Sequence, residues 1–254
     1  MRFLLIALLS LVILSPAPAL AQDSDILPTD KGPLAIQPIV HASLVLSLSS
    51  LTIYIDPTGG EANYKGIKSP DLIFITDIHG DHFDPATLGA VITPVTKIVA
   101  PKAVADLMPD SLKSKTVIMK NGDKMVLSGI TIVALPMYNL PANPNDPRHP
   151  PGRGNGYVLA IGGKNIYISG DTQGIPEMRA LKNIDVAFVC MNLPYTMDIN
   201  EAADAVLTFK PRIVYPYHYR GQGGFSDVAA FKAKVAAGDK NIEVRLRNWY
   251  PTKS

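Results

Sequence analysis

"SPDLIFITDIHGDHFDP", residues 69–85, runs an apolar segment straight into a cluster of metal-binding side chains. Leu72 to Ile75 read as a buried strand. Behind them stand Asp77, His79, Asp81, His82 and Asp84. In an extended segment residues 77 and 79 point the same way, so both can reach one ion. Gly80 lets the chain turn sharply, which allows Asp81 and His82 to face a second ion close by. Asp84, just before "PATL", reads as a helix cap.

Similar runs of strand length fill much of the chain: "LAIQPIV" (34–40), "SLVLSL" (43–48), "LTIYID" (51–56), "TKIVA" (96–100), "KTVIM" (115–119), "KMVLS" (124–128), "ITIVAL" (130–135), "GYVLAI" (156–161), "KNIYIS" (164–169), "DVAFVC" (185–190), "RIVYPY" (212–217) and "IEVRL" (242–246). Several alternate on period two; others are apolar throughout, as in a sheet covered on both faces. Between them "PKAVADLM" (101–108) predicts a helix with Pro101 in its first turn. "NEAADAVLTF" (200–209) predicts a helix capped by Asn200, and "SDVAAFKAKVAA" (226–237) one capped by Ser226. "IPEMRAL" (175–181) predicts a short helix. Strands interspersed with helices argue for an α/β sandwich. The longest irregular stretch, "PMYNLPANPNDPRHPPGRGNG" (136–156), is of the length that marks functional loops.

The first 21 residues have a signal-peptide pattern: Arg2, an apolar run from Phe3 to Leu14, then Ala19-Leu20-Ala21 as a small-x-small cleavage site. The run is short for a membrane span. Cleavage after Ala21 would send the protein to the periplasm or outside the cell, with no stable span left. Residues 22–32, polar with Pro28 and Gly32, read as a flexible leader, and 33–254 as one domain. Lys and Arg number 24 against 22 Asp and Glu, and no basic run is interleaved with aromatics, so nucleic acid is not indicated. Cys190 is the single cysteine, so no internal disulfide forms; inside "DVAFVC" it reads as a small buried hydrophobe. Nothing in the sequence specifies an oligomeric state.

All five histidines fall just past a strand-like run or in the loop that follows one: His41, His79, His82, His149 and His218. Asp171 follows "KNIYISG" in the same manner, with Gly170 allowing a close approach. Sites in α/β folds form at such strand ends. Imidazole and carboxylate together suit zinc, iron or manganese rather than calcium.

These residues resemble the metallo-β-lactamase fold superfamily of metallohydrolases, whose first motif is H-x-H-x-D-H after a strand. Asp77, His79, Asp81 and His82 match it, with Asp77 in place of the first histidine. Asp171 in "SGDT" matches the family's bridging aspartate, and His218 in "YPYHYRG" its last metal histidine. "HASLVLSLSSLTIYIDP" and "GYVLAIGGKNIYISGDT" look most like the branch with L-ascorbate-6-phosphate lactonase and the N-acyl-phosphatidylethanolamine phospholipase D enzymes. The resemblance implies a four-layer αββα sandwich with the metals at one edge. Tyr138 and Asn139 stand where the family's middle histidine would follow "ITIVAL", and His149 comes ten residues after Asn139. Either His149, the preferred candidate, or Asn139 is expected to complete the second metal site with Asp77, His79 and Asp171. His41 is expected behind the ligands or facing substrate, and Asp56 as an orienter of a ligand. Tyr138, Asn139, Arg153, Tyr195 and Arg220 are candidates for the pocket, the arginines for an anionic substrate.

The resemblance implies an exported hydrolase that holds one or two zinc ions, with iron or manganese as alternatives. A metal-bound hydroxide, oriented by Asp81 or Asp171, would attack an ester, lactone, amide or phosphodiester of a small molecule. Two other readings share the same residues: an iron-dependent redox enzyme, and a non-catalytic binding protein that keeps its metal for structure.

Overall fold

The computed structural model describes residues 24–251; the signal segment expected at residues 1–21 lies outside them. One sheet contains β1 (Asp25–Thr29), β2 (Gly32–Val40), β3 (Ser43–Ser47), β4 (Thr52–Ile55), β5 (Leu72–Phe74), β6 (Lys97–Ala100) and β7 (Thr116–Ile118), neighbours in that order. A second contains β8 (Lys124–Leu127), β9 (Ile130–Met137), β10 (Gly154–Ile161), β11 (Lys164–Ile168), β12 (Val186–Cys190) and β13 (Ile213–Tyr217). After a small hairpin of β14 (Arg220–Gly221) and β15 (Gly224–Phe225), β16 (Glu243–Val244) completes that sheet beside β13. Both sheets follow one plan. In each, the first four strands pair antiparallel and the rest join in parallel.

Period-two alternation explains why the strands are so uniformly apolar. Leu44, Leu46, Ile53, Ile55, Leu72 and Phe74 point into a core shared with Ile132, Tyr157, Leu159, Ile168 and Phe188 of the second sheet. Their neighbours Val45, Tyr54, Ile73 and Ile75 point the other way. There they meet Leu88 and Val91 of α1 (Pro85–Val91), Val104 of α2 (Lys102–Leu107) and Leu112 of α3 (Asp110–Lys113). The outer face of the second sheet is covered by α4 (Pro176–Arg179), α5 (Ile199–Phe209) and α6 (Val228–Gly238), which add Met178, Val206, Phe209, Phe231 and Val235 to the shared core. The result is the expected αββα sandwich.

Several expectations need correction. Residues 22–32 are not simply a leader, because β1 lies within them and pairs with β2. Asp198, not Asn200, caps α5, accepting from the N–H groups of Asn200 and Glu201. Asp227, not Ser226, caps α6 by accepting from Ala230 N–H. In both cases a carboxylate within two residues outcompetes a neutral side chain for the helix amides. Pro101 sits at the cap position of α2, one residue before its first turn. Asp84 does cap α1, accepting from Ala86 and Thr87 N–H. Cys190 is buried within β12, and burial pushes its thiol up to about 11.

Candidate metal centre

The topology sends β2, β4 and β5 of one sheet, and β9, β11 and β13 of the other, towards one edge. Each delivers a polar residue just beyond its last strand position. His41 follows β2, Asp56 follows β4, and Asp77 to His82 follow β5. From the second sheet, Asn139 and His149 follow β9, Asp171 follows β11 and His218 follows β13. Two backbone features sharpen the turns. His218 has a φ of 48°. Gly170 has a φ of 61°, and a Cβ there would stand 2.6 Å from Met137 Sδ, so only glycine brings Asp171 this close.

His82 is fully buried and held from behind. Asp56 Oδ2 accepts from its Nδ1–H at 2.8 Å. Thr76 donates its N–H and its hydroxyl to the same carboxylate, at 2.8 and 2.6 Å. With Nδ1 occupied, Nε2 carries the lone pair and faces forward. His218 Nε2 lies 3.0 Å from it. Asp171 Oδ1 lies 3.5 Å from His82 Nε2 and 3.2 Å from His218 Nε2. On its other side, Asp171 Oδ2 lies 3.2 Å from His149 Nε2. His149 is held much as His82 is: Asn139 Oδ1 lies 3.3 Å from its Nδ1, and Asn139 N–H donates to its carbonyl at 3.0 Å.

Asp81 reaches the centre from the open side. It is 41% exposed and lies 3.4 Å from His218 Nε2. A three-link chain holds it. Arg220 N–H donates to Tyr250 Oη at 3.0 Å. Tyr250 Oη lies 2.8 Å from His41 Nδ1, and His41 Nε2 lies 3.1 Å from Asp81 Oδ2. Burial favours neutral His41, outweighing Asp81. A neutral ring satisfies both contacts when Tyr250 donates to Nδ1 and Nε2–H donates to Asp81. Burial alone would raise the Asp81 carboxyl; the hydrogen bond from His41 and the fields of His82 and His218 hold it far below the usual carboxylate range.

Does this cluster fit a metal ion? Burial opposes a charged His82, yet the facing carboxylates of Asp171 and Asp56 raise its pKa well above the ordinary value. Burial opposes an ionised Asp171, yet His218 and His82 hold it well below its own. Positive charge is thus favoured between these side chains. His149 Nε2 and Asp171 Oδ1 are buried without a hydrogen-bond partner, which native interiors rarely tolerate unless something else engages them. Three groups, His82–Asp171–His218, His41–Asp81–His218 and Asp77–His79–His149, bring donor atoms within 4.8 Å of one another. Imidazole and carboxylate donors at these separations fit a divalent transition ion.

The centre floors a cavity of 330 Å³, with His79, Asp81, His149 and Asp171 below and Arg148 and Tyr195 at the mouth. The Arg148 guanidinium lies 6.0 Å from the centre of the Tyr195 ring. The other pocket candidates go elsewhere. Tyr138 donates its hydroxyl to Glu177 at 3.0 Å. Arg220 lies over the Tyr250 ring, 5.1 Å from its centre. Arg153 is largely buried and engaged with Asp77. Sequence reading missed Thr76, Arg148 and Tyr250. Arg148 sits beside His149 and was in principle within sight; Tyr250, near the far end of the chain, carries no local signal.

Residues 35–218 match the family model described as a beta-lactamase superfamily domain. A UPF0173 metal-dependent hydrolase of Pyrococcus abyssi is 33% identical over 217 residues, covering 82% of this chain and 93% of its own. The crystal structure of a candidate metal-dependent hydrolase from Parabacteroides distasonis superposes with a TM-score of 0.80 at 38% identity, covering 89% of this chain and 98% of that one. Igni18, a metallo hydrolase of Ignicoccus hospitalis, shares the fold with a TM-score of 0.70 at 24% identity, over 85% of this chain and 95% of its own. The chain belongs to the β-lactamase superfamily and, within it, to the metal-dependent hydrolases of the UPF0173 type.

Proposed function

We propose that this metal-dependent hydrolase uses zinc to direct water at an ester, lactone, amide or phosphodiester of a small anionic molecule. The observation that carries the reading is the meeting of His82 Nε2, His218 Nε2 and Asp171 Oδ1, with Asp171 also lining a cavity. An ion held by these three would polarise the scissile group and bring the pKa of water to about neutrality.

The chain's own residues do the rest. Asp81 is ionised, open to the cavity and fixed by His41, so it accepts a hydrogen bond from the attacking water and orients it. Asp171 divides its two oxygens between His218 and His149 and holds the centre together from both sides. Arg148 forms no ion pair among the described residues and stands at the mouth, where it draws in the anionic end of the substrate; Tyr195 offers a flat apolar wall beside it. Two imidazoles and one carboxylate also suit ferrous iron, so metal analysis of protein from its native source decides between the ions.

The experiment is turnover on a panel of esters, lactones, amides and phosphodiesters, each with and without an anionic group, using stripped protein reloaded with zinc, manganese or iron. His82→Ala and His218→Ala should lose both metal and turnover. Full occupancy and full turnover in either variant would overturn the reading. We also propose export to the periplasm or beyond through residues 1–21, consistent with the Arg2–Ala21 pattern; no helix among the described residues is long and apolar enough to cross a membrane. A mature N-terminus upstream of residue 22 on the native protein would refute the predicted cut.

A further inference from the structure

Asp77 was expected to bind a second metal, but its surroundings assign it another partner. Its side chain is 0% exposed, and Arg153 engages both of its oxygens. Arg153 Nε donates to Oδ1 at 3.1 Å and Nη2 donates to Oδ2 at 2.8 Å. This two-point pairing is the strongest geometry a guanidinium and a carboxylate can adopt. The Arg148 carbonyl also accepts from Nη2, and Arg153 N–H donates to the Pro150 carbonyl at 3.4 Å. The guanidinium is thus held by its own loop as well as by its counter-ion.

His79 is drawn into the same arrangement. Its Nδ1 lies 2.8 Å from Asp77 Oδ2, and its Nε2 lies 3.3 Å from Arg153 Nη2. Nδ1–H donates to the carboxylate, and the Nε2 lone pair accepts from the guanidinium. That lone pair is the one a metal at this end of the centre would need. The charges agree with the geometry. Arg153 neutralises Asp77, so this end offers the rings of His79 and His149 and one shared oxygen of Asp171. The other end has Asp171 between His82 and His218, with Asp56 behind and Asp81 beside them.

We infer that the guanidinium of Arg153 takes the place of a second cation, so that the chain holds one metal ion, at His82, Asp171 and His218, while Asp77 and His79 serve Arg153. The inference rests on the metal-dependent reading of the centre and specifies its stoichiometry. His149 then faces Asp171 and the cavity without completing a second ion site. Asp77 becomes a positioning residue for His79, and Arg153 a fixed positive charge behind His79 that does not depend on the supply of metal.

The test is metal content of the full chain after saturation with zinc and removal of excess, with anomalous diffraction at the zinc edge. The wild-type protein should hold one equivalent, with one anomalous peak at His82, Asp171 and His218 and none between His79 and His149. Arg153→Gln frees Asp77 and His79 and should rise towards two equivalents, whereas Arg153→Lys, which keeps the charge, should stay at one. Two equivalents in the wild type, or no gain in a folded Arg153→Gln protein, overturns the inference. If that variant does not fold, the wild-type anomalous map still decides, because a second peak between His79 and His149 overturns the inference and its absence upholds it. His82→Ala tells this failure from failure of the underlying reading: one retained equivalent there means that the centre itself is misassigned.

Discussion

A histidine offers two ring nitrogens, and at His82 each has a different use: Nδ1 is given to Asp56 so that Nε2 can face the centre. Such outer partners set the tautomer and orientation of a ligand, and losing one weakens metal binding about 10- to 100-fold. Asp56→Asn should therefore reduce metal affinity in a chelator competition by roughly that factor while the protein stays folded. An unchanged affinity would mean that Thr76 alone, 2.9 Å from the same nitrogen, suffices to orient the ring. The Arg220–Tyr250–His41–Asp81 chain makes a second residue-level claim. Removing the Tyr250 hydroxyl leaves His41 free to adopt the other tautomer and present a lone pair to Asp81. Tyr250→Phe should cut kcat by about 10-fold with metal content intact, and ¹⁵N shifts of the His41 ring should move towards the other tautomer. A kcat loss accompanied by metal loss would instead place Tyr250 among the supports of the ion. Asp77 marks the limit of reading at this scale. Its place in the D-x-H-x-D-H spacing was plain, but not that Arg153, 76 positions away, would take both of its oxygens.

Elements were legible wherever both faces are covered. Each apolar run noted in the sequence corresponds to a strand, because β5, β12 and β13 are buried on every side and can carry no polar alternation. β1 escaped notice for the opposite reason. It is an edge strand that buries only Leu27, and it is bounded by polar and turn residues. The hairpin of β14 and β15 has two residues per strand and no buried apolar side chain to announce it. The helices were found by their apolar faces, while their exact starts were not, since Asn200 and Ser226 each stand within two residues of an aspartate that caps better. The difference is measurable in α5. Asp198→Ala should cost about 1 kcal/mol, lowering the melting temperature by roughly 2–4 °C for a domain of this size. Asn200→Ala, one position inside the helix end, should leave the midpoint nearly unchanged. Equal losses would mean that the two side chains share the cap.

Across the whole molecule, β1 ties the start of one sheet to the far side of the other. Asp25 accepts from the Tyr215 hydroxyl of β13 at 2.6 Å and pairs with Arg247 in the segment after β16. Burial raises the Asp25 carboxyl, but the hydrogen bonds from Arg247 and Tyr215 and the charges of Arg247 and Arg245 together bring it below its ordinary value. A depressed carboxylate stabilises the fold above its unfolded pKa and loses that contribution as pH falls through its folded one. The stability gap between wild type and Asp25→Asn should thus be constant from neutrality down to about pH 5 and close below about pH 4; a gap that persists at pH 2 would assign the effect to packing. The shared plan of the two sheets reaches further. Asp56 and Asp171 both follow the fourth strand of their own sheet, and they stand at opposite nitrogens of the same ring, His82. Residues 24–119 carry His82 but neither Asp171 nor His218, and residues 120–251 carry those two but not His82. Neither half can capture the ion alone. With the ion held as proposed, occupancy of the centre would be a record of assembly: the ion would enter only after the two halves had met in register, and a chain that had taken it up would already have completed the longest-range step of its folding.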